Sequence, residues 1–340
     1  MDETVLLEGL ASHVSNKLIK CSHADISLLG GYLGNVMFLY YYSHINPKYE
    51  TVADTALGII LKFHRTTKIY SYCNGLAGFG VGLMQLEQDG FVCGANASLC
   101  DYDDVIHYEL KRELSLNRHD FLHGFIGLGF YFLKRYKNGY KDNMKSLLCI
   151  VDYLWCNVEV RNGSLRWKLN EAPDKIYNIS LSHGMSSTII LLCEIYKLDC
   201  VGYVYKNKIK KLIEQATIYI LRQKQNPHSN GSYFPSMSLD CSKNTYSRLG
   251  WCYGDLGISI CMLKVGEILN DEQIYALAIE VLRYTALYRR DLLKNQIYDA
   301  SICHGASGVA MIYEALTKKW GLSEFESAVD YWRRVTIKKL

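Results

Sequence analysis

Proline is scarce in this chain, with 4 in 340 residues, so long helices can run without interruption. No apolar run approaches the roughly 18–20 residues needed to span a bilayer. The N-terminus, Met1-Asp2-Glu3-Thr4, carries acids where a secretory signal would carry positive charge. A cytoplasmic location is therefore expected. Charge of one sign is also missing: 38 Lys and Arg stand against 34 Asp and Glu, a scattered net +4. Nucleic-acid binding needs clustered basic residues, so nucleic acid is excluded as a partner. No Cys-x-x-Cys and no nucleotide-binding loop occur. The 12 cysteines lack the spacing of a disulfide framework and sit in a long, unexported chain, so most are expected to be reduced, buried and inert. The composition, 49% hydrophobic and 21% charged, is that of a chain that buries a large core. Disorder, collagen and disulfide miniproteins are excluded.

What is abundant is glycine in a repeating place. Six times a small-residue opening runs into an apolar, helix-like stretch: Gly31-Tyr32-Leu33-Gly34, Gly75-Leu76-Ala77-Gly78, Gly124-Phe125-Ile126-Gly127, Gly184-Met185-Ser186-Ser187, Gly254-Asp255-Leu256-Gly257 and Gly305-Ala306-Ser307-Gly308. The lead glycines lie 44 to 70 residues apart, which suits a two-helix unit with variable loops. Each interval holds a second, one-sidedly charged segment: Thr51–Arg65, Asp101–Glu113, Asp142–Val158, Val204–Arg222, Asp271–Tyr288 and Leu322–Lys338, preceded by Glu3–Lys17. These read as outer helices. The glycine-led helices are apolar all round and read as an inner layer, with small residues permitting close approach at converging N-terminal ends. An all-α architecture follows, closing most economically as an α/α toroid in one domain, residues 1–340. An open array of the same helix pairs is the alternative.

Three of the 10 histidines directly precede a lead glycine, His123, His183 and His304, where chance gives about one. Cys252 and Cys303 stand beside that station, two residues before their lead glycines. Cys252, Cys303 and His304 thus put two thiols and an imidazole at the starts of consecutive inner helices, where the helix dipole favours thiolate. A Cys₂His set suits zinc, and three protein ligands leave one position open, the mark of a catalytic site.

Gly250-Trp251-Cys252-Tyr253-Gly254 followed by Cys303-His304-Gly305, with glycine repeats from about Leu28 to Tyr313, resembles the lanthionine synthetase C-like family, the LanC cyclases. The resemblance implies an α/α toroid and one zinc ion per chain, held by Cys252, Cys303 and His304. It implies acid/base work for His183, with Asp120 orienting that imidazole, and active-site positions for Arg248 and Tyr253. His123 has the right station but no counterpart role. The family normally has seven glycine-led inner helices, and six are visible here, so the ring is expected to be open at one wedge, rearranged, or completed by another chain.

The activity implied is addition of a cysteine thiolate to dehydroalanine or dehydrobutyrine in the same peptide, giving lanthionine or methyllanthionine thioether rings. A dehydrated precursor peptide, a separate dehydratase and an export transporter are the implied partners, and Gln225–Ser247 is a candidate substrate-facing loop. Three readings compete. The same zinc could activate a small thiol such as glutathione, the chain could be a non-catalytic scaffold, or an α/α-toroid glycosidase would need paired carboxylates flanking a groove, for which Asp120 at a repeat mouth is one and Asp255, inside the fifth repeat, a poor second.

Overall fold

The computed structural model describes residues 3–19, 25–63, 67–168, 177–240 and 246–340. Cys21, Pro173 and Cys241, the end of the expected helix Thr51–Arg65 and part of Gln225–Ser247 lie outside them. The chain packs as two compact units, Met1–Ile150 and Val151–Leu340.

The first unit contains α1 (Glu3–Ile19), α2 (Tyr32–Ser43), α3 (Lys48–Phe63), α4 (Leu76–Gln88), the single turn α5 (Ala95–Ser98), α6 (Cys100–Ser115) and α7 (Phe125–Lys137), and α8 (Met144–Cys156) begins in it. The second holds a hairpin, β1 (Glu159–Arg161) and β2 (Ser164–Arg166), then α9 (Met185–Tyr196), α10 (Tyr203–Leu221), the short α11 (Pro227–Asn230), α12 (Asp255–Leu269), α13 (Glu272–Tyr288), α14 (Ala306–Trp320) and α15 (Glu326–Lys339). The hairpin is the one departure from an all-helical chain among the described residues. Asn162 and Gly163 both take positive φ, 50° and 73°, which is the two-residue turn that matches strand twist.

The six glycine-led segments are α2, α4, α7, α9, α12 and α14, and α2, α9, α12 and α14 each pack on the helix that follows them. α9 is buried from Met185 to Cys193 without a break, as an inner helix must be. In the outer helix α3 only Tyr49, Ala53, Ala56, Leu57 and Ile60 are buried, one stripe at helical spacing.

The glycines do something more local than the sequence suggested. A Cβ on Gly78 would lie 1.8 Å from the Tyr72 carbonyl oxygen, and one on Gly308 would lie 1.9 Å from that of Ile302. Each second glycine seats the carbonyl six residues before it, in the loop that feeds its own helix. Contact with a neighbouring repeat comes second: Gly127 also faces the Tyr72 Cβ, and Gly257 the Leu181 Cβ. In five repeats the N–H after the lead glycine donates to the carbonyl seven residues earlier, as Leu76 does to Ile69 and Ala306 to Asp299, both at 3.0 Å. The same loop is therefore built repeatedly and held rigidly against the start of its helix.

The expectation that most cysteines are buried is corrected. All ten described cysteines are free, but only Cys193, Cys252 and Cys261 are buried, while Cys93, Cys100, Cys156 and Cys200 are exposed. Those four lie at helix ends or in connections, outside the apolar stripes.

Candidate metal centre

Residues two before the lead glycine form a backbone ladder between consecutive loops. Leu29 N–H donates to the Cys73 carbonyl and Cys73 N–H to that of Leu122, at 3.4 and 2.8 Å; in the second unit Ser182 N–H donates to Cys252 at 3.2 Å. The Ser182 hydroxyl doubles that last bond at 3.0 Å. Cys252 and Cys303 both occupy this station. The ligand atoms of Cys252, Cys303 and His304 lie within 4.8 Å of one another, and they form the one Cys/His/Asp/Glu trio so placed among the described residues.

The donor set fits zinc. Two Zn–S bonds of about 2.3 Å at a tetrahedral angle put the sulfurs roughly 3.8 Å apart, within the observed span. Gly250 lies against the cluster, where a Cβ would sit in ordinary contact, 3.6 Å from Cys252 Sγ and 3.5 Å from His304 Cα. The electrostatics already favour one thiolate. The Cys303 thiol is lowered, above all because the Cys252 thiol hydrogen-bonds to it, and further by the His304 and His183 imidazoles. The same bond, with burial, pushes the Cys252 thiol up. The helix-dipole reading had lowered both.

His183 is half-buried, and its ring lies 5.8 Å, centroid to centroid, from that of Tyr253. Arg248 Nη2 donates to the Gln296 carbonyl at 2.8 Å, while its buried Nε has no hydrogen-bond partner. Four of the expected site residues outside the ligand trio are thus divided: His183, Arg248 and Tyr253 stand in the second unit with the trio, and Asp120 belongs to the first. There the Asp120 carboxylate accepts the His123 N–H at 2.8 Å, and His123 is exposed.

One candidate is corrected. Asp255 is fully buried, accepts the Tyr233 and Phe234 N–H groups and pairs with Arg289 at 3.0 Å. It is not available as a glycosidase carboxylate. The described part of Gln225–Ser247 is mixed: Ser232, Tyr233, Phe234 and Ser238 are buried and Gln223 Oε1 accepts from Ser238 and Leu239, while Asn226, His228 and Ser229 are exposed.

Sequence reasoning passed over an Asx turn at the mouth of three repeats. Asp25, Asn178 and Asp299 each accept, through Oδ1, the N–H of the serine two residues on, at 2.8–2.9 Å. The signal was present as Asp25-Ile26-Ser27, Asn178-Ile179-Ser180 and Asp299-Ala300-Ser301, each starting six residues before a lead glycine.

The nisin biosynthesis protein NisC of Lactococcus lactis subsp. lactis is 24% identical over 288 residues, which cover 78% of this chain and 66% of that protein, slightly under two thirds of its length. A solved structure of nisin cyclase matches with a TM-score of 0.77 at 18% identity, covering 99% of this chain and 87% of that one. Likeness at that identity shows the fold class, the helical α/α toroid expected from the repeats. The family model described as lanthionine synthetase C-like protein matches residues 22–338, and the chain belongs to that family.

Proposed function

We propose that this chain is a zinc-dependent peptide cyclase that joins a cysteine thiol to dehydroalanine or dehydrobutyrine in a dehydrated precursor peptide, forming lanthionine or methyllanthionine. The observation that carries the reading is the convergence of Cys252, Cys303 and His304 within 4.8 Å. Zinc held by them would keep an open position where an incoming thiol stays deprotonated at neutral pH.

The remaining chemistry falls to side chains. When sulfur attacks the β-carbon, the alkene electron pair moves onto the α-carbon and its carbonyl, and a proton must then reach the α-carbon. The thiol proton balances it, so the peptide keeps its mass. His183, half-buried and beside Tyr253, is suited to carry that proton. Arg248 has one guanidinium edge tied to Gln296 and an unpartnered Nε, so it can receive the charge that develops on the carbonyl. Tyr253 packs the imidazole. Asp120 rests on the family resemblance alone, and Asp120→Asn is its test. A separate dehydratase and an export transporter are the partners this chemistry requires or follows with, and the reading carries a cytoplasmic location with it. No described helix is long and apolar enough to cross a membrane.

The test is metal content followed by ring formation. About one zinc per chain is expected, lost in Cys303→Ala. With a dehydrated peptide, cyclisation leaves the mass unchanged and protects the cysteine from alkylation. Zinc binding with a glutathione adduct and no ring would move the function to a small-thiol transferase. A chain that binds no zinc when it is supplied would leave the scaffold reading.

A further inference from the structure

The ligands come from two loops, residues 246–255 with Cys252 and residues 289–305 with Cys303 and His304, and one buried cluster stitches these loops together. Arg289, 3% exposed, spends its guanidinium on both. Nε donates to Asn295 Oδ1 at 2.9 Å, Nη1 to Asp255 Oδ2 at 3.0 Å, and Nη2 to the Tyr246 hydroxyl at 3.3 Å and to the Ser247 carbonyl. Asn295, 2% exposed, is the other half. Its Oδ1 also accepts the Tyr246 hydroxyl at 3.0 Å, its Nδ2 donates to the Asp291 carbonyl at 2.7 Å, and its own carbonyl accepts the Leu249 N–H at 3.1 Å. Three residues beyond Leu249 stands Cys252. None of these groups is itself a ligand.

We propose that Asn295 and Arg289 are positioning residues that fix the distance between Cys252 and the Cys303–His304 pair, and thereby set how tightly the centre holds its metal. The inference rests on the zinc reading above. A ligand atom displaced by a few tenths of an ångström strains a bond of fixed length, so supports outside the ligand shell govern affinity. Arg289→Ala would strand the buried Asp255 carboxylate, so Asn295→Ala, which keeps that ion pair, is the informative change. Gln223→Ala is its control, because Gln223 is also a buried amide, 4% exposed, that staples a loop of the same unit without touching the ligand loops.

The experiment is zinc affinity by competition with a chromophoric chelator, and the visible spectrum of the cobalt(II) form, for the full chain and each variant. Asn295→Ala is expected to weaken zinc by about 10–100-fold and to alter the tetrahedral cobalt bands. Asn295→Asp keeps both acceptor bonds but sets a carboxylate oxygen against the Asp291 carbonyl that Nδ2 now donates to, so it should recover only part of that loss, and Gln223→Ala should bind as the unaltered chain does. Tyr246→Phe, which deletes one hydroxyl and no packed volume, should weaken binding several-fold, and it tests the clasp even if Asn295→Ala does not fold. Zinc affinity within about twofold of the unaltered chain and an unchanged cobalt spectrum in both Asn295→Ala and Tyr246→Phe would overturn the inference, as would an equal loss in Gln223→Ala. An unaltered chain with no cobalt spectrum would instead overturn the zinc reading, and this one with it.

Discussion

Gly308→Ala tests whether the repeat glycines exist to seat loop carbonyls. The added Cβ would stand 1.9 Å from the Ile302 oxygen and 2.9 Å from its carbon, so something must move by about 1 Å to restore van der Waals contact. The obstacle is backbone, and no rotamer relieves it. Overpacking of this kind costs about 1–3 kcal/mol, against which replacing glycine inside a helix returns about 1 kcal/mol. The net effect on stability is therefore a loss of about 0–2 kcal/mol. The effect on the centre is larger, because the carbonyl that must yield belongs to the residue before Cys303. We expect zinc affinity to fall at least about tenfold, with the midpoint of urea denaturation slightly lowered. Gly58→Ala is the reference: a Cβ there meets nothing within 4 Å, on an exposed face of α3, so about 0.5–1 kcal/mol of stabilisation is expected. If Gly308→Ala were stabilised like Gly58→Ala and held zinc as the unaltered chain does, the carbonyl-seating account would be wrong.

Two further outcomes follow from the first unit and from the cysteines. Glu8 gathers Tyr42, Asn46, Lys48 and Tyr49 onto one carboxylate, chiefly through Lys48 its pKa is lowered to about 2, and its hold on α1 is therefore complete above the ordinary carboxylate value and lost as pH falls toward about 2. Hydrogen exchange in Glu3–Ile19 should accelerate over that window, and Glu8→Gln should show the fast exchange already at neutral pH; exchange that ignores both would refute the docking role. Maleimide labelling mapped by mass spectrometry should modify Cys93, Cys100, Cys156 and Cys200 first and Cys193 and Cys261 only after unfolding, since burial also pushes those two thiols up.

The helices were legible because their signal is physical and local. Every glycine-led segment became an inner helix, and the outer helices fell within a few residues of the charged stripes, as for Asp271–Tyr288 against α13. The convergence of Cys252, Cys303 and His304 was legible for a related reason: a repeated station in sequence becomes a repeated station in space. What was not legible depends on single long-range pairings. Asp255 looks like any acid opening a helix, and only the approach of Arg289, 34 residues on, shows it to be buried and paired. Asn295 sits in a connection with no counterpart in the other repeats, so no periodicity could mark it. The role of the glycines was legible only in part: close approach to a neighbouring repeat is found at Gly127 and Gly257, but the pattern places glycines on one face without saying that the loop carbonyl six residues earlier presses there first.

The ladder station explains why the candidate centre lies in this part of the chain and not elsewhere on a repeated frame. Leu29, Cys73, Leu122, Ser182, Cys252 and Cys303 are equivalent in distance from their lead glycines, and the backbone bonds of Leu29, Cys73 and Ser182 at that station follow one rule. The frame therefore offers each repeat the same place for a donor, and side-chain choice decides whether a centre forms. The one clustered trio among the described residues draws on two consecutive stations. Cys73 has a thiol at the right place but Leu29 and Leu122 on either side, and among the described residues it belongs to no ligand cluster. Cys252 and Cys303 are consecutive, and His304 adds a third donor one residue on. Rigid loops, each locked to its own helix by a seated carbonyl, then turn that adjacency into a fixed separation.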